Sequence, residues 1–320
     1  MRIAVIGSGG VGGYFGARLA DGGAEVTFLA RGDHLAAMRS HGLKIEGGPR
    51  PIHVKKVQAT DNPADMGVAD LVLFAVKLWD TEAVLEQIRP VVGPHTTLIS
   101  FQNGVLKDNY LRAHYDPAQI MGGVGYVAST IGRPGVIQQT GPLEGLVFGE
   151  FDGRRSERGE AFLKACLNGG INAKLSPDIS REIWQKFVFL VGLSGTTTTM
   201  RIPIGPIREN PQTRQFLLDV MKEVVAVGRA HQVNLPEDYA EQRLVLADDV
   251  AFDMTSSMHH DLQRGRPLEV RWLSGGVVQL GQKVGVATPL NRAIADILEL
   301  SVAGASNVGQ RPESSLTAKA

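Results

Sequence analysis

The chain lacks several features that would assign it to particular classes of protein. Cys166 is its single cysteine, so an internal disulfide is excluded and a reducing, cytoplasmic compartment is favoured. Lysine plus arginine and aspartate plus glutamate are equal at 33 each, so no excess positive charge favours nucleic acid or an anionic membrane surface. No apolar run reaches the roughly 20 residues of a membrane span. We therefore expect neither a nucleic-acid nor a membrane partner, and any bound anion needs a local site.

The predicted elements divide the 320 residues into an α/β half and a helical half. Short apolar runs alternate with helical stretches, which is typical of a doubly wound parallel sheet. These strands are predicted at residues 2–6, 25–29, 71–76 and 97–100. Short β-like runs between residues 120 and 148 are expected to add antiparallel strands at the edge of the sheet.

The second half of the sequence is predicted to be almost entirely helical. The helices are expected at residues 179–200, 208–231, 236–248, 256–264, 268–284 and 289–303. We expect a Rossmann-type domain over residues 1–177, a helical domain over 178–306 and a frayed tail over 307–320. A ligand cleft is expected between the two domains, above the carboxyl ends of the parallel strands.

A glycine-rich loop follows the first predicted strand and opens a helix. It consists of Gly7, Ser8, Gly9, Gly10, Val11 and Gly12 and matches the dinucleotide-binding pattern G-x-G-x-x-G. Gly7 permits a tight turn, Gly9 lets the backbone approach a pyrophosphate, and Gly12 allows the helix to pack closely on the strand. The alternative is a glycine-rich turn with no ligand.

The end of the second predicted strand indicates which dinucleotide is bound. Enzymes that use NAD usually carry an acidic residue there, whereas this sequence reads Leu29-Ala30-Arg31-Gly32. The Arg31 guanidinium can form charge-assisted hydrogen bonds with a ribose 2′-phosphate. The alternative is a solvated loop arginine. The sequence therefore predicts NADPH as the cofactor.

Three polar residues are candidates for the predicted cleft. Lys77 and Asn103 follow the third and fourth strands, where a parallel sheet binds its ligands, although either is also typical of a turn. Lys186 precedes a long uncharged stretch of helix. Partial burial would lower the pKa of its amine toward the range of a proton donor, and the alternative is a lysine that covers the core with its stem.

Several of these segments occur in the same order in ketopantoate reductases (2-dehydropantoate 2-reductases), which the sequence resembles from Met1 to about Ala303. They are the opening strand and glycine loop, Lys77, Gln102-Asn103-Gly104, Trp184-x-Lys186 and the run Ser-Ser-Met-x-x-Asp at residues 256–261. The resemblance implies a helical C-terminal domain similar to that of 6-phosphogluconate dehydrogenase. It also implies NADPH-dependent reduction of ketopantoate, a step of pantothenate biosynthesis.

The resemblance also implies roles for single residues. Lys186 matches the proton donor to the substrate carbonyl, and Ser257 matches a ligand of the substrate carboxylate. Lys77 and Asn103 match residues that contact the cofactor. Ala128 matches a backbone contact near the nicotinamide, and Glu269 matches a glutamate that contacts the cofactor close to the lysine.

The sequence departs from the family pattern on the helix of Lys186. Family members with ketopantoate activity carry asparagines four and eight residues after the lysine, where this chain has Leu190 and Ser194. Leucine cannot hydrogen-bond to a substrate, and serine reaches less far than asparagine. We therefore expect these positions to line the substrate site and to favour a related, more apolar 2-oxo acid.

Other functions stay open at this point. One alternative is an opine- or 6-phosphogluconate-dehydrogenase-like enzyme with another substrate, and another is a non-catalytic NADP sensor. No metal site is expected, because the neighbouring His259 and His260 point about 100° apart on a helix. Cys166 is expected to be a packing residue. The sequence leaves open whether the protein forms a homodimer.

Overall fold

The computed structural model describes residues 1–305, and it divides the chain into two compact units with the boundary after Lys186. The first unit contains a ten-stranded sheet. Its strands are β1 (Arg2–Ile6), β2 (Glu25–Leu29), β3 (Leu43–Glu46), β4 (Ile52–Val54), β5 (Gln58–Thr60), β6 (Leu71–Phe74), β7 (Thr97–Ser100), β8 (Ile120–Arg133), β9 (Val136–Gly149) and β10 (Ala173–Leu175).

The strand order is β4-β3-β9-β8-β7-β6-β1-β2-β5, with β10 paired to β9. From β5 to β8 all neighbours are parallel, in the order of a Rossmann fold. The β8–β9 and β3–β4 pairs are antiparallel. These pairings confirm the predicted α/β fold class.

Helices cover both faces of this sheet because its central strands are apolar on both faces. Alternate residues of β1 point to opposite sides, so Val5 packs in one core and Ile6 in another. The helices of the unit are α1 (Gly10–Asp21), α2 (Gly32–His41), α3 (Thr81–Gln87), α4 (Lys107–His114) and α5 (Glu157–Asn168). Cys166 of α5 is fully buried, as expected for a packing cysteine, and burial raises the pKa of its thiol.

The prediction for residues 120–148 was wrong in length and in place. These residues form two strands of 14 residues each, and β9 lies between β8 and β3 rather than at an edge. The glycines of β8 lower its local strand propensity, but they make room for large neighbours: a Cβ on Gly123 would lie 2.5 Å from Ile99 Cγ2. The sequence analysis also missed the short strands β3, β4, β5 and β10, and strand β6 ends at Phe74 rather than at residue 76.

The second unit is helical, as predicted. Helix α6 (Ile179–Met200) begins in the first unit, and α7 (Ile204–Glu209), α8 (Pro211–Ala230), α9 (Tyr239–Asp249), α10 (Ser257–Gln263), α11 (Ser274–Val284) and α12 (Pro289–Leu298) follow. The single helix predicted over 208–231 is interrupted at Asn210, whose side chain caps α8 ahead of Pro211. Predicted helices 268–284 and 289–303 each include a 3₁₀ turn, Glu269–Arg271 and Glu299–Ser301.

No helix within residues 1–305 has both the length and the apolar character to span a membrane. The predicted tail falls outside the described residues.

Candidate active site

The glycine loop connects β1 to α1 and has the shape of a ligand cradle. Gly7 has a φ of +94°, a conformation that glycine adopts without strain. A Cβ on Gly12 would lie 2.1 Å from the carbonyl oxygen of Gly7, so only glycine lets the helix begin this close to the loop. A Cβ on Gly9, the residue that caps α1, would meet no atom within 4 Å. This open space at the N-terminus of a 12-residue helix fits an anionic group such as a pyrophosphate.

The side chain of Ser8 connects this loop to the end of β2. Ser8 Oγ donates a 2.8 Å hydrogen bond to the carbonyl oxygen of Leu29, the last residue of the strand. Arg31 follows at the start of α2, exposed to solvent, and its Nη2 donates to Gln87 Oε1 over 3.1 Å. The structure therefore brings Arg31 to the same end of the sheet as the glycine loop.

The predicted proton donor is in contact with the carboxyl end of the sheet. Lys186 Nζ donates to Asn103 Oδ1 over 3.1 Å and to the carbonyl oxygen of Gly125 over 2.7 Å. It also lies 5.7 Å from the centre of the Tyr126 ring, within the range of a cation–π interaction. The lysine is half-buried, which fits both a proton donor and a lysine that covers the core with its stem. Lys186, Asn103 and residues 125–126 of β8 thus form one cluster, and Ala128 follows two residues later on the same strand.

Lys77 lies at the end of the neighbouring strand. It follows β6 and caps a 3₁₀ turn, Leu78–Asp80, with its Nζ 5.2 Å from the centre of the Trp79 ring. Both Lys77 and Asn103 are therefore at the carboxyl ends of adjacent parallel strands, where ligands bind in this fold.

The remaining predicted residues belong to the second unit. Leu190 is half-buried, whereas Ser194 is fully buried and its Oγ has no hydrogen-bond partner among the described residues. Ser257 is exposed at the first position of α10, which Ser256 caps by accepting a hydrogen bond from the backbone N–H of His259. Glu269 is buried in its 3₁₀ turn.

Helix α10 is tied to α6 by a contact that the sequence analysis missed. His259 Nδ1 lies 2.8 Å from the carbonyl oxygen of Thr197. A carbonyl oxygen only accepts, so Nδ1 carries the proton and donates. Within residues 1–305 no three histidine, cysteine, aspartate or glutamate side chains are grouped to hold a metal ion.

Two further contacts of the first unit were missed. A Cβ on Gly10 would lie 2.1 Å from the carbonyl oxygen of Ser129, because β8 crosses directly above the start of α1. Gln102 was noted only as part of a motif, yet its buried amide connects the ends of β6 and β7. Neither contact has a local signal, because each partner is distant in sequence.

Comparison with known proteins agrees with this architecture. The family model "Ketopantoate reductase PanE/ApbA" matches residues 3–153, and the model "Ketopantoate reductase PanE/ApbA C terminal" matches residues 178–301. A 2-dehydropantoate 2-reductase of Mesorhizobium japonicum is 31% identical, over 94% of this chain and 98% of its own. An uncharacterized oxidoreductase of Bacillus subtilis, YkpB, is 28% identical over the same shares of the two chains. A crystal structure of a PanE/ApbA family ketopantoate reductase from Ralstonia eutropha has a TM-score of 0.85 and 30% identity, over 94% of this chain and 98% of that one. The chain therefore belongs to the ketopantoate reductase family of oxidoreductases.

Proposed function

We propose that this protein reduces a 2-oxo acid to a 2-hydroxy acid with NADPH, and that Lys186 protonates the carbonyl oxygen. The observation that carries the proposal is the position of Lys186, whose ammonium group is held by Asn103 and Gly125 beside the carboxyl ends of the parallel strands. Ligands of doubly wound sheets bind at these ends. A half-buried ammonium group there can both donate a proton and stabilise an oxyanion.

The first unit offers residues that would hold the cofactor. The open space above Gly9 would receive the pyrophosphate, and Arg31 would pair with the 2′-phosphate. Lys77, Asn103 and the backbone of Ala128 would contact the nicotinamide half, and we assign Glu269 of the second unit a cofactor contact as well. When bound, NADPH supplies the hydride.

Lys186 would act on the substrate with its ammonium group, which Asn103 and Gly125 hold in place. Two carbonyl-type oxygens accept hydrogen bonds from Nζ, which restricts the ammonium group to one position despite its long, flexible stem. A group that is already oriented reorganises little when negative charge develops on the substrate oxygen. Ser257 would contribute a ligand for the substrate carboxylate.

The substrate we propose is more apolar than ketopantoate. Leu190 and Ser194 follow Lys186 by one and two helical turns, and they offer less hydrogen-bonding capacity than the two family asparagines. Leu190 presents an apolar side chain that is only half-buried, and the Ser194 hydroxyl is fully buried. This favours a 2-oxo acid without the terminal hydroxyl of ketopantoate.

The test is a Lys186→Met variant, which keeps the stem and removes the ammonium group. We expect kcat and kcat/KM to fall together by roughly 100-fold or more while NADPH binding survives, because only the transition state loses an interaction. NADPH oxidation measures turnover, and nicotinamide fluorescence measures binding. A variant with wild-type kcat would overturn the proposal. Wild-type protein that binds NADPH but reduces no 2-oxo acid would favour the sensor hypothesis instead.

A further inference from the structure

The amide side chain of Gln102 joins the ends of two neighbouring strands inside the first unit. Its Nε2 donates to the carbonyl oxygen of Val76 over 3.0 Å and to Thr81 Oγ1 over 2.8 Å. Its Oε1 accepts from Ser100 Oγ over 2.9 Å. Gln102 is 7% exposed, and Ser100 and Thr81 are fully buried or nearly so. Such a buried and fully bonded network holds its members in one arrangement.

Two members of this hydrogen-bond network are sequence neighbours of residues in the proposed site. Val76 immediately precedes Lys77, and Gln102 immediately precedes Asn103. One side chain therefore links the two chain segments that carry the proposed cofactor contacts.

A second contact closes the loop that carries Asn103. Lys107 Nζ donates to the carbonyl oxygen of Ser100 over 2.9 Å and pairs with the Asp108 carboxylate, and all of these groups are buried. The loop of residues 101–106 follows Ser100, and Lys107, the first residue after the loop, is hydrogen-bonded back to Ser100. The hydrogen bonds of Gln102 and Lys107 thus hold both ends of the loop that carries Asn103.

We propose that Gln102 is a positioning residue that holds the Asn103 carbonyl oxygen where it accepts the hydrogen bond from Lys186. The proposal rests on the proposed function of Lys186. Gln102 acts through Asn103, since its own hydrogen bonds go to Val76, Thr81 and Ser100. Without the amide, the loop relaxes and Lys186 loses a fixed partner. A displacement of about 1 Å at such a site can reduce the rate roughly 100-fold.

The protein offers a matched control at the other end of the sheet. Gln119 Nε2 also bridges two backbone carbonyl oxygens, those of Gly93 at 2.8 Å and Thr96 at 3.0 Å, and it is partly buried. These partners precede β7, whereas Gln102 follows it. Gln119→Leu therefore removes the same kind of bridge without touching the loop of Asn103.

The experiment compares Gln102→Leu and Gln102→Glu with Gln119→Leu. For both Gln102 variants we expect kcat to fall roughly 10- to 100-fold at neutral pH, with a smaller change in KM. In Gln102→Glu, the ratio of variant to wild-type kcat should rise toward low pH, because a protonated carboxyl group regains a hydrogen-bond donor. Gln119→Leu should keep wild-type kcat even where thermal unfolding shows a comparable loss of stability.

A second measurement does not depend on turnover. The pH dependence of Lys186 acetylation, followed by mass spectrometry on the whole protein, reports how strongly the ammonium form is stabilised. Loss of the Asn103 acceptor should move this profile to lower pH in both Gln102 variants, and Gln119→Leu should leave it unchanged. If Gln102→Leu fails to fold, Gln102→Glu decides.

The outcomes separate the two proposals. A shifted acetylation profile in protein that reduces no 2-oxo acid would keep the positioning role and remove the proposed function. Gln102 variants with a wild-type acetylation profile and wild-type kcat would overturn the positioning role. An equal loss of kcat in Gln119→Leu would also overturn it, because the effect would then come from general destabilisation.

Discussion

Lys186 and Asn103 are 83 residues apart in the chain, yet Nζ and Oδ1 lie 3.1 Å apart. The proposed site contains few functional groups. The Lys186 ammonium group donates to the Asn103 amide and to one backbone carbonyl, and the Arg31 side chain, at the start of α2, donates to Gln87. The roles proposed for these side chains differ, so a single substitution can test each of them.

Arg31→Ala should remove most of the proposed preference for NADPH over NADH. One charge-assisted contact contributes roughly 1.5–3 kcal/mol, which corresponds to a change of roughly 10- to 100-fold in the ratio of the two dissociation constants. Titrations followed by nicotinamide fluorescence measure both constants. Arg39→Ala, at the other end of α2, is the control and should leave the ratio unchanged. An unchanged ratio in Arg31→Ala would show that another residue selects the cofactor.

Leu190→Asn should improve reduction of ketopantoate. The added amide offers the hydrogen bond that leucine lacks, which contributes about 1 kcal/mol or more to a polar substrate group. Ketopantoate and 3,3-dimethyl-2-oxobutanoate differ by one hydroxyl group, so they form a matched pair. Wild-type protein should have the higher kcat/KM on the compound without the hydroxyl, and the variant should reverse or narrow the difference. High wild-type efficiency on ketopantoate that Leu190→Asn makes worse would restore ketopantoate as the substrate.

Among the elements, β8 has two structural tasks. Its first residues extend the parallel sheet beside β7, and its later residues pair with β9 and cross the start of α1 at Gly10. Neighbouring glycines of the same loop therefore face different surroundings. Gly10 contacts the backbone of Ser129, whereas Gly9 faces open space.

Gly9→Ala should thus weaken NADPH binding with little effect on stability, whereas Gly10→Ala should reduce the stability of the fold. A methyl group on Gly9 meets no protein atom within 4 Å, so the fold should tolerate it while NADPH binding weakens. A methyl group on Gly10 would lie 2.1 Å from the Ser129 carbonyl oxygen, so β8 must move, at a cost of roughly 1–3 kcal/mol. Thermal unfolding without cofactor and NADPH titration measure the two effects. A Gly9→Ala variant with unchanged NADPH affinity would remove this space from the cofactor site.

At the scale of the whole molecule, we expect stability to depend in part on a partly buried ion pair that the sequence analysis did not identify. Arg158 Nε and Nη2 donate to the two carboxylate oxygens of Glu150 over 2.7 and 2.6 Å, and Glu150 is only 4% exposed. Burial by itself would raise the pKa of Glu150, but the hydrogen bonds from Arg158 and Ser156 and the positive charges of Arg158 and Arg154 together outweigh it, so the pKa lies below its usual 4.5. The ionised form is therefore favoured in the folded protein.

Glu150→Gln should destabilise the protein in a pH-dependent way. The stabilisation by the carboxylate is complete above the unfolded pKa and is lost as the pH falls through the lower folded pKa. We expect the variant to lose roughly 1.5–3 kcal/mol of unfolding free energy at pH 7, and the difference from wild type to shrink below about pH 4.5. Urea denaturation at a series of pH values measures this. The control is Asp152→Asn, which removes an exposed ion pair with Arg154 and should cost about 0–1 kcal/mol. A difference that grows as the pH falls would contradict the assignment.

Local sequence patterns were sufficient to predict several elements of this protein. Glycine spacing and apolar runs predicted β1, α1 and β2, and the long uncharged stretch after Lys186 predicted α6 to its observed bounds, Ile179–Met200. Other features depend on contacts between segments that are distant in the chain. The glycines of β8 weakened its local signal, and only pairing with β9 made it a long strand inside the sheet. The contacts of Gln102 with Val76 and of Lys186 with Asn103 likewise join segments that are far apart in the chain. Such contacts depend on which surfaces the folded sheet brings together, and no periodicity or spacing in the sequence records that.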